Sequence, residues 1–494
     1  MTTTERTAPA DDARLADLAA EVHETHTGVV ILVGDRAFKA KKPIRTDFLD
    51  FRSPAQREAV CAREVALNRR LAPHSYLGVA HLQIPGHDAP EPVVVMRRYP
   101  DRDRLRALVA RGAPTDDHLT ALAGMVARFH GIAERGDEVD ACATPAAVGQ
   151  RWCENLAELD HHPETVPAAA VDEVRRLALR YLDGRHALFA GRIADRRIVD
   201  GHGDLLADDI FCAPDGPVVL DCLEFDDRLR RVDGIDDAAF LAMDLEFLGR
   251  RDLAEHFLDR YREFAGDSAP RSLVDFYIAY RAVVRAKVDC IRVAQGHPAA
   301  AADARWHLEL AAEHLKAATV RLVLVGGGPG TGKTTLSEAL GQSVGAQVIS
   351  TDNVRRELQA GNVLHGDAGA LDSGLYAPGN VALVYRTVLD RAAALLARGE
   401  SVILDGTWRD PQHRRAAHRC ADNAYAVLVE LACATDLSAA QQRIERRTST
   451  TSDATPQIAA DITAPVWSGA HRVDTGKLLA DSVAEAQQIC CLAI

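Results

Sequence analysis

The segment Gly327-Gly328-Pro329-Gly330-Thr331-Gly332-Lys333-Thr334 fits the pattern GxxxxGK[ST] and stands between an apolar run, TVRLVLV, and a helical one, TTLSEALG. Strand, glycine loop, helix is the context in which such a loop cradles phosphate. The glycines let backbone N–H groups converge on phosphate oxygens at the positive end of the helix. Lys333 is placed to reach the β and γ phosphates of ATP and the Thr334 hydroxyl to ligate Mg²⁺, with Thr335 beside it. Further strands, AQVIST, SVILDGT and AYAVLVELACA, alternate with helical stretches. That alternation predicts βαβ units and an α/β domain with a parallel sheet.

In parallel sheets the carboxyl ends of the strands carry the site. Asp352, after AQVIST, is expected to take the proton of an acceptor hydroxyl. Asp405, ending SVILD, is expected to order Mg²⁺ or its water. Arg443, Arg446 and Arg447 lead into the polar segment TSTTSDAT and are candidates to close over the phosphates, with Arg447 taken as an ATP-binding residue.

The pattern before residue 318 differs. TGVVILV, a Gly34-Asp35 turn and RAFKAKK predict a hairpin. Residues 54–71 have helical spacing, EPVVVMRRYP predicts a strand, and 235–315 is mostly helical. The expected organisation is a tail at 1–20, a domain at 21–317 with a small strand-rich lobe and a larger helical one, and a second domain at 318–494.

Composition narrows the function classes. The 494 residues give two or three domains, and the net charge of −13 argues against a general nucleic-acid binder. No apolar run is long enough for a membrane span, and the N-terminus lacks a basic-then-apolar leader, so a cytoplasmic protein is expected. Ten scattered cysteines without a CxxC pair are expected to be reduced. The 58 basic residues include only seven lysines, and four of these, Lys39, Lys41, Lys42 and Lys333, fall in candidate phosphate sites. A compact ammonium suits phosphate oxygens where a planar guanidinium does not. The cluster Arg97, Arg98, Arg102, Arg104 and Arg106 is expected to form salt bridges within this acidic chain.

The C-terminal motifs GGGPGTGKTTLSEAL, ISTDNVRREL and VILDGTW resemble small P-loop kinases such as gluconate kinase, chloramphenicol phosphotransferase and the kinase domain of polynucleotide kinase. Over residues 20–315 the chain resembles the aminoglycoside phosphotransferase family, whose fold is α+β and protein-kinase-like. His202-Gly203-Asp204 through Asp209 is similar to the HxDxxxxN catalytic loop, and Asp221-Cys222-Leu223-Glu224-Phe225 stands at the place of the metal-binding Asp. The resemblance implies Asp204 as catalytic base, Asp209 and Asp221 as Mg²⁺ ligands, and Lys39 as the phosphate-holding lysine, preferred over Lys41 on the same strand face. Glu64 would be its ion-pair partner. The combined order resembles actinobacterial fusions of such a domain with a P-loop kinase.

The chain departs from that family at Asp209, where Asn is usual, and at Leu206, where His is frequent. It has no GxGxxG loop, only Gly28. The expectation is an ATP- and Mg²⁺-dependent phosphotransferase acting on a small-molecule hydroxyl. The alternative is a nucleotide-responsive regulatory protein with a pseudokinase N-terminal half.

Overall fold

The computed structural model describes residues 20–24, 28–43, 51–83, 90–367, 373–445 and 467–493. The chain divides into two compact units, one from Met1–Ala143 and Ile193–Ser268, the other from Thr144–Arg192 and Ala269–Ile494.

In the first unit, the strands Glu21–Glu24, Gly28–Val33, Arg36–Lys41, Glu91–Arg97 and Tyr76–Leu82 lie side by side in that order in one antiparallel sheet. The hairpin expected around Gly34-Asp35 is present, with Val30 opposite Lys39. The helix Pro54–Asn68 begins with Pro54 in its first turn and a capping box between Ser53 and Gln56. Its Cys61, Glu64, Val65 and Asn68 recur at helical spacing and are buried. Cys61 and Val65 pack with Ala37, Tyr76, Val94 and Met96, so Glu64 is carried under the sheet. Two short ladders follow, Ile198–Asp200 with Arg231–Asp233 and Ile210–Ala213 with Gly216–Val219. The HGD segment lies between them, and the helix Gly234–Phe247 comes after. An antiparallel sheet with a helix against it, followed by short ladders and further helices, is an α+β arrangement, as expected.

The second unit holds a five-stranded parallel sheet in the order Gln347–Ser350, Val402–Asp405, Arg321–Gly326, Val427–Ala434, His471–Asp474. Leu322 to Val325 are all buried, as strands covered on both faces require. Val323, Val325, Ile403, Val429 and Leu431 form a core with Leu336 and Leu340 of the helix Lys333–Val344. This is the expected α/β P-loop fold.

The packing division differs from the boundary expected near Ala317. The helices Pro145–Asp160, Ala168–Asp183, Arg271–Ala294 and Ala300–Ala318 belong to the unit that holds the parallel sheet. Trp152, Tyr181 and Phe276 bring three of them together, with the Tyr181 and Phe276 rings stacked 4.5 Å apart. Ser272 donates to the Gly399 carbonyl and Arg185 to the Ala424 carbonyl. Those bonds fix the helical layer to loops beside the parallel sheet.

The ten cysteines are free. Among the described residues, no helix is long and apolar enough to cross a membrane.

Candidate active sites

The glycine loop follows the central strand Arg321–Gly326. Gly327 has φ +146°, and a Cβ there would fall 2.9 Å from the Cys433 carbonyl oxygen, so the close approach excludes a side chain. Gly332, in the left-handed region, starts the helix. Within the loop Thr331 donates to the Gly328 carbonyl at 2.8 Å, and Lys333 Nζ rests on the same carbonyl at 3.3 Å. Pro329 is half-buried, and Thr335 is exposed on the first helical turn.

In-register pairing aligns Val325, Asp405 and Ser350 at the carboxyl ends of three adjacent strands. Asp405 is buried, and its Oδ2 accepts the Thr334 hydroxyl at 2.7 Å. Its Oδ1 has no hydrogen-bond partner. Burial, reinforced by the Asp352 charge, raises the Asp405 carboxyl above the usual range, although Lys333 and Thr334 oppose this. An orphaned carboxylate oxygen beside a hydroxyl is a donor set that fits Mg²⁺.

Asp352 stands in the first turn of the helix Thr351–Ala360, in an ion pair with buried Arg355 at 2.5 Å. The Arg355 guanidinium lies 4.4 Å from the Tyr376 ring centroid. Arg443 donates to the Thr475 carbonyl at 2.8 Å, and Thr475 donates to the Thr331 carbonyl at 2.6 Å, so Arg443 abuts the phosphate loop. Arg446 and Arg447 lie outside the described residues.

In the first unit, Lys39 Nζ is 2.9 Å from Glu64 Oε1 and 2.5 Å from Asp221 Oδ1. Lys41 Nζ is 2.6 Å from both Glu64 Oε2 and Glu224 Oε1. Glu64 thus serves two lysines, each with a second carboxylate. Lys41 is 1% exposed at its side chain and Lys39 12%. Asp221 adopts φ +61°, in the left-handed region. Its N–H donates to the Tyr76 hydroxyl, and the Cys222 N–H to Asn68 Oδ1. The sheet and the end of the helix Pro54–Asn68 therefore aim the Asp221 segment.

The HGD loop is held from below. Asp237 accepts the His202 N–H at 2.7 Å, the Gly203 N–H at 2.8 Å and His130 Nε2 at 2.9 Å, and Tyr261 meets His130 Nδ1 at 2.8 Å. Burial alone would raise the Asp237 carboxyl, but His130 and His202 outweigh it and hold it far below the usual range. Burial pushes the His202 imidazole down to about 4. Arg70 donates to the Asp200 and Gly201 carbonyls, tying the loop to the end of the helix Pro54–Asn68.

Asp209 is near enough to Asp221 and Asp204 to feel both. Burial first, then those two charges, raise its carboxyl well above the usual range, while Lys39 and Arg104 oppose the rise. Arg104 also donates to the Asp208 carbonyl, and Arg106 pairs with Asp208 Oδ2 at 3.0 Å. With the Arg98–Glu21 pair, much of the arginine cluster is indeed engaged in salt bridges.

Among the described residues no group of three or more His, Cys, Asp or Glu side chains closes on a metal unaided. An octahedral Mg²⁺ held by one or two carboxylates, with phosphate oxygens and water completing it, asks for no such group. The carboxylates Asp209 and Asp221 fit that role.

Sequence reasoning missed Asp237, His130, Tyr261, Arg70 and Arg355. Asp237 had a signal: GIDDAAFLAMDLEF places Asp236, Asp237, Asp244 and Glu246 in an otherwise apolar helix, and all four are buried. Buried charges need partners.

A family model described as an AAA domain matches residues 322–464. Uncharacterized protein Rv2004c of Mycobacterium tuberculosis is 54% identical over 472 residues, covering 95% of each chain, and Mb2027c of Mycobacterium bovis matches equally. The chain belongs to their family. Among solved structures, a choline/ethanolamine kinase family protein from Mesorhizobium loti is 18% identical, covering 63% of this chain and 96% of its own, with a TM-score of 0.37. A gluconokinase from Sinorhizobium meliloti is 18% identical, covering 35% of this chain and 92% of its own, with a TM-score of 0.26.

Proposed function

We propose that the chain is an ATP-dependent phosphotransferase with two nucleotide sites, each passing the γ-phosphoryl group to a hydroxyl of a small-molecule acceptor. The observation that carries this reading is that each unit sets a lysine among acidic or phosphate-loop partners: Lys39 pairs with Glu64 and Asp221, and Lys333 precedes Thr334, whose hydroxyl reaches Asp405 at the end of the neighbouring strand.

In the C-terminal site the loop from Gly327 to Thr335 would hold the phosphates through its N–H groups, and Lys333 would leave the Gly328 carbonyl for a phosphate oxygen. Thr334 and Asp405 would hold Mg²⁺, which supplies charge neutralisation of the phosphates. Asp352 would orient the acceptor hydroxyl and take its proton. Its Arg355 pair fixes the carboxylate's direction.

In the N-terminal site Lys39, oriented by Glu64, would hold the α and β phosphates. Asp209 and Asp221 would hold Mg²⁺, and Asp204 would take the acceptor proton. The acceptor oxygen then bonds to the γ phosphorus as the bond to the β–γ bridging oxygen breaks, and ADP leaves with that electron pair. Catalysis of this kind is chiefly positioning and charge neutralisation.

A second reading is favoured by Asp209, whose raised carboxyl adds a reluctant third acid beside Asp204 and Asp221. There the chain is a nucleotide-responsive regulatory protein: the N-terminal half is a pseudokinase that senses a small molecule or partner, and ATP binding in the C-terminal half switches its shape.

The test is a screen of sugars, aminoglycosides, nucleosides and amino-alcohols for acceptor-dependent ADP release. Release above the no-acceptor background that disappears in Lys333→Ala or Asp204→Asn supports transfer at the corresponding site. No stimulation by any class contradicts it.

A further inference from the structure

Within the first unit, beside His130, lies a cavity of about 480 Å³. Arg135, Arg196 and Arg197 line it, together with Tyr261. Its size is that of a small-metabolite site.

The Arg135 and Arg197 guanidiniums are fixed in place. Arg135 donates to the carbonyls of Arg196, Ala133 and His130, and Arg197 to those of Ala265 and Gly266. Arg196 is exposed and holds a left-handed backbone at φ +55°, uncommon for a residue with a side chain. These bonds satisfy polar backbone atoms, and among the described residues no ion pair joins a carboxylate to any of the three arginines. Burial, and then the Arg196 and Arg197 charges, lower Arg135 below the ordinary arginine range. Asp140 opposes that shift, and Asp195 and Asp267 also line the cavity, so three guanidiniums face two lining carboxylates.

We propose that this cavity is a ligand site for a small phosphate-bearing anion, separate from both nucleotide sites. The forked guanidinium donors match phosphate oxygens in geometry and charge. The Tyr261 hydroxyl that lines the cavity is also the partner of His130, which bears on Asp237, so the site adjoins the support of the HGD loop.

Isothermal titration of the full chain with ribose 5-phosphate, and in parallel with inorganic phosphate, tests it. Wild type should bind one equivalent of at least one probe. Arg196→Ala and Arg197→Ala should each weaken that binding by about ten-fold or more, the usual worth of a charge-assisted contact. Arg196 is exposed, so Arg196→Ala should keep the wild-type Tm. Lys39→Ala and Lys333→Ala should bind the probe as wild type does, which separates this site from the nucleotide sites. Failure of wild type to bind either probe overturns the proposal. So does binding that survives both arginine substitutions or is lost with Lys39→Ala or Lys333→Ala.

Discussion

Thr334 donates its hydroxyl to Asp405 Oδ2 at 2.7 Å, joining the residue after the P-loop lysine to the end of the neighbouring parallel strand. The other Asp405 oxygen is buried and unpartnered. Asp405→Asn keeps the shape and removes the charge. It should lower Mg²⁺-dependent turnover at the C-terminal site by roughly 10–100-fold. Steady-state rates across a Mg²⁺ titration check this, and an unchanged Mg²⁺ dependence would contradict the assignment.

Lys39 and Lys41 both reach Glu64, yet they should fail differently. Lys41 is the more deeply enclosed and is paired with Glu224 as well. Lys41→Met strands buried carboxylate charge and should cost about 3 kcal/mol or more in stability. Lys39→Met should chiefly remove nucleotide binding at that site. Chemical denaturation beside analogue titration separates the two, and equal stability losses would contradict the division of labour.

Asp237 terminates the His202 and Gly203 N–H groups and receives His130. Asp237→Ala leaves buried donors unmet and should destabilise the chain by about 3–5 kcal/mol. A denaturant midpoint within error of wild type would show that the loop does not depend on it.

Much of this was legible beforehand, and unevenly. The P-loop and the parallel sheet are written in contiguous residues, so local pattern sufficed. Lys39 and Asp221 stand 182 positions apart, and no local pattern joins them. Only the family-like order of Lys, Glu, HGD and DC foretold their meeting. The His130–Asp237 pair spans 107 positions and carries no motif, only the oddity of acids in an apolar helix. The helices at 145–183 and 271–318 have apolar faces that do not reveal which neighbour they cover, which is why the packing division was not foreseen.

Stability should fall on mild acidification. Burial lowers His202 from 6.5 to about 4, so the unfolded chain binds the proton more readily than the folded one. Between those values the unfolded state takes up more protons, and stability is lost as pH falls through that window. At full weight the shift is worth about 3 kcal/mol. Tm measured from pH 7 to pH 4.5 should drop less steeply in His202→Gln than in wild type. Parallel curves would contradict the burial argument.

The central claim is that one chain carries two separate nucleotide sites. Titrating the full chain with a non-hydrolysable ATP analogue in Mg²⁺ tests it most directly. The account predicts two equivalents bound by wild type, one by Lys333→Ala and one by Lys39→Ala. Loss of all binding in Lys333→Ala would contradict it and leave the N-terminal unit without a nucleotide site.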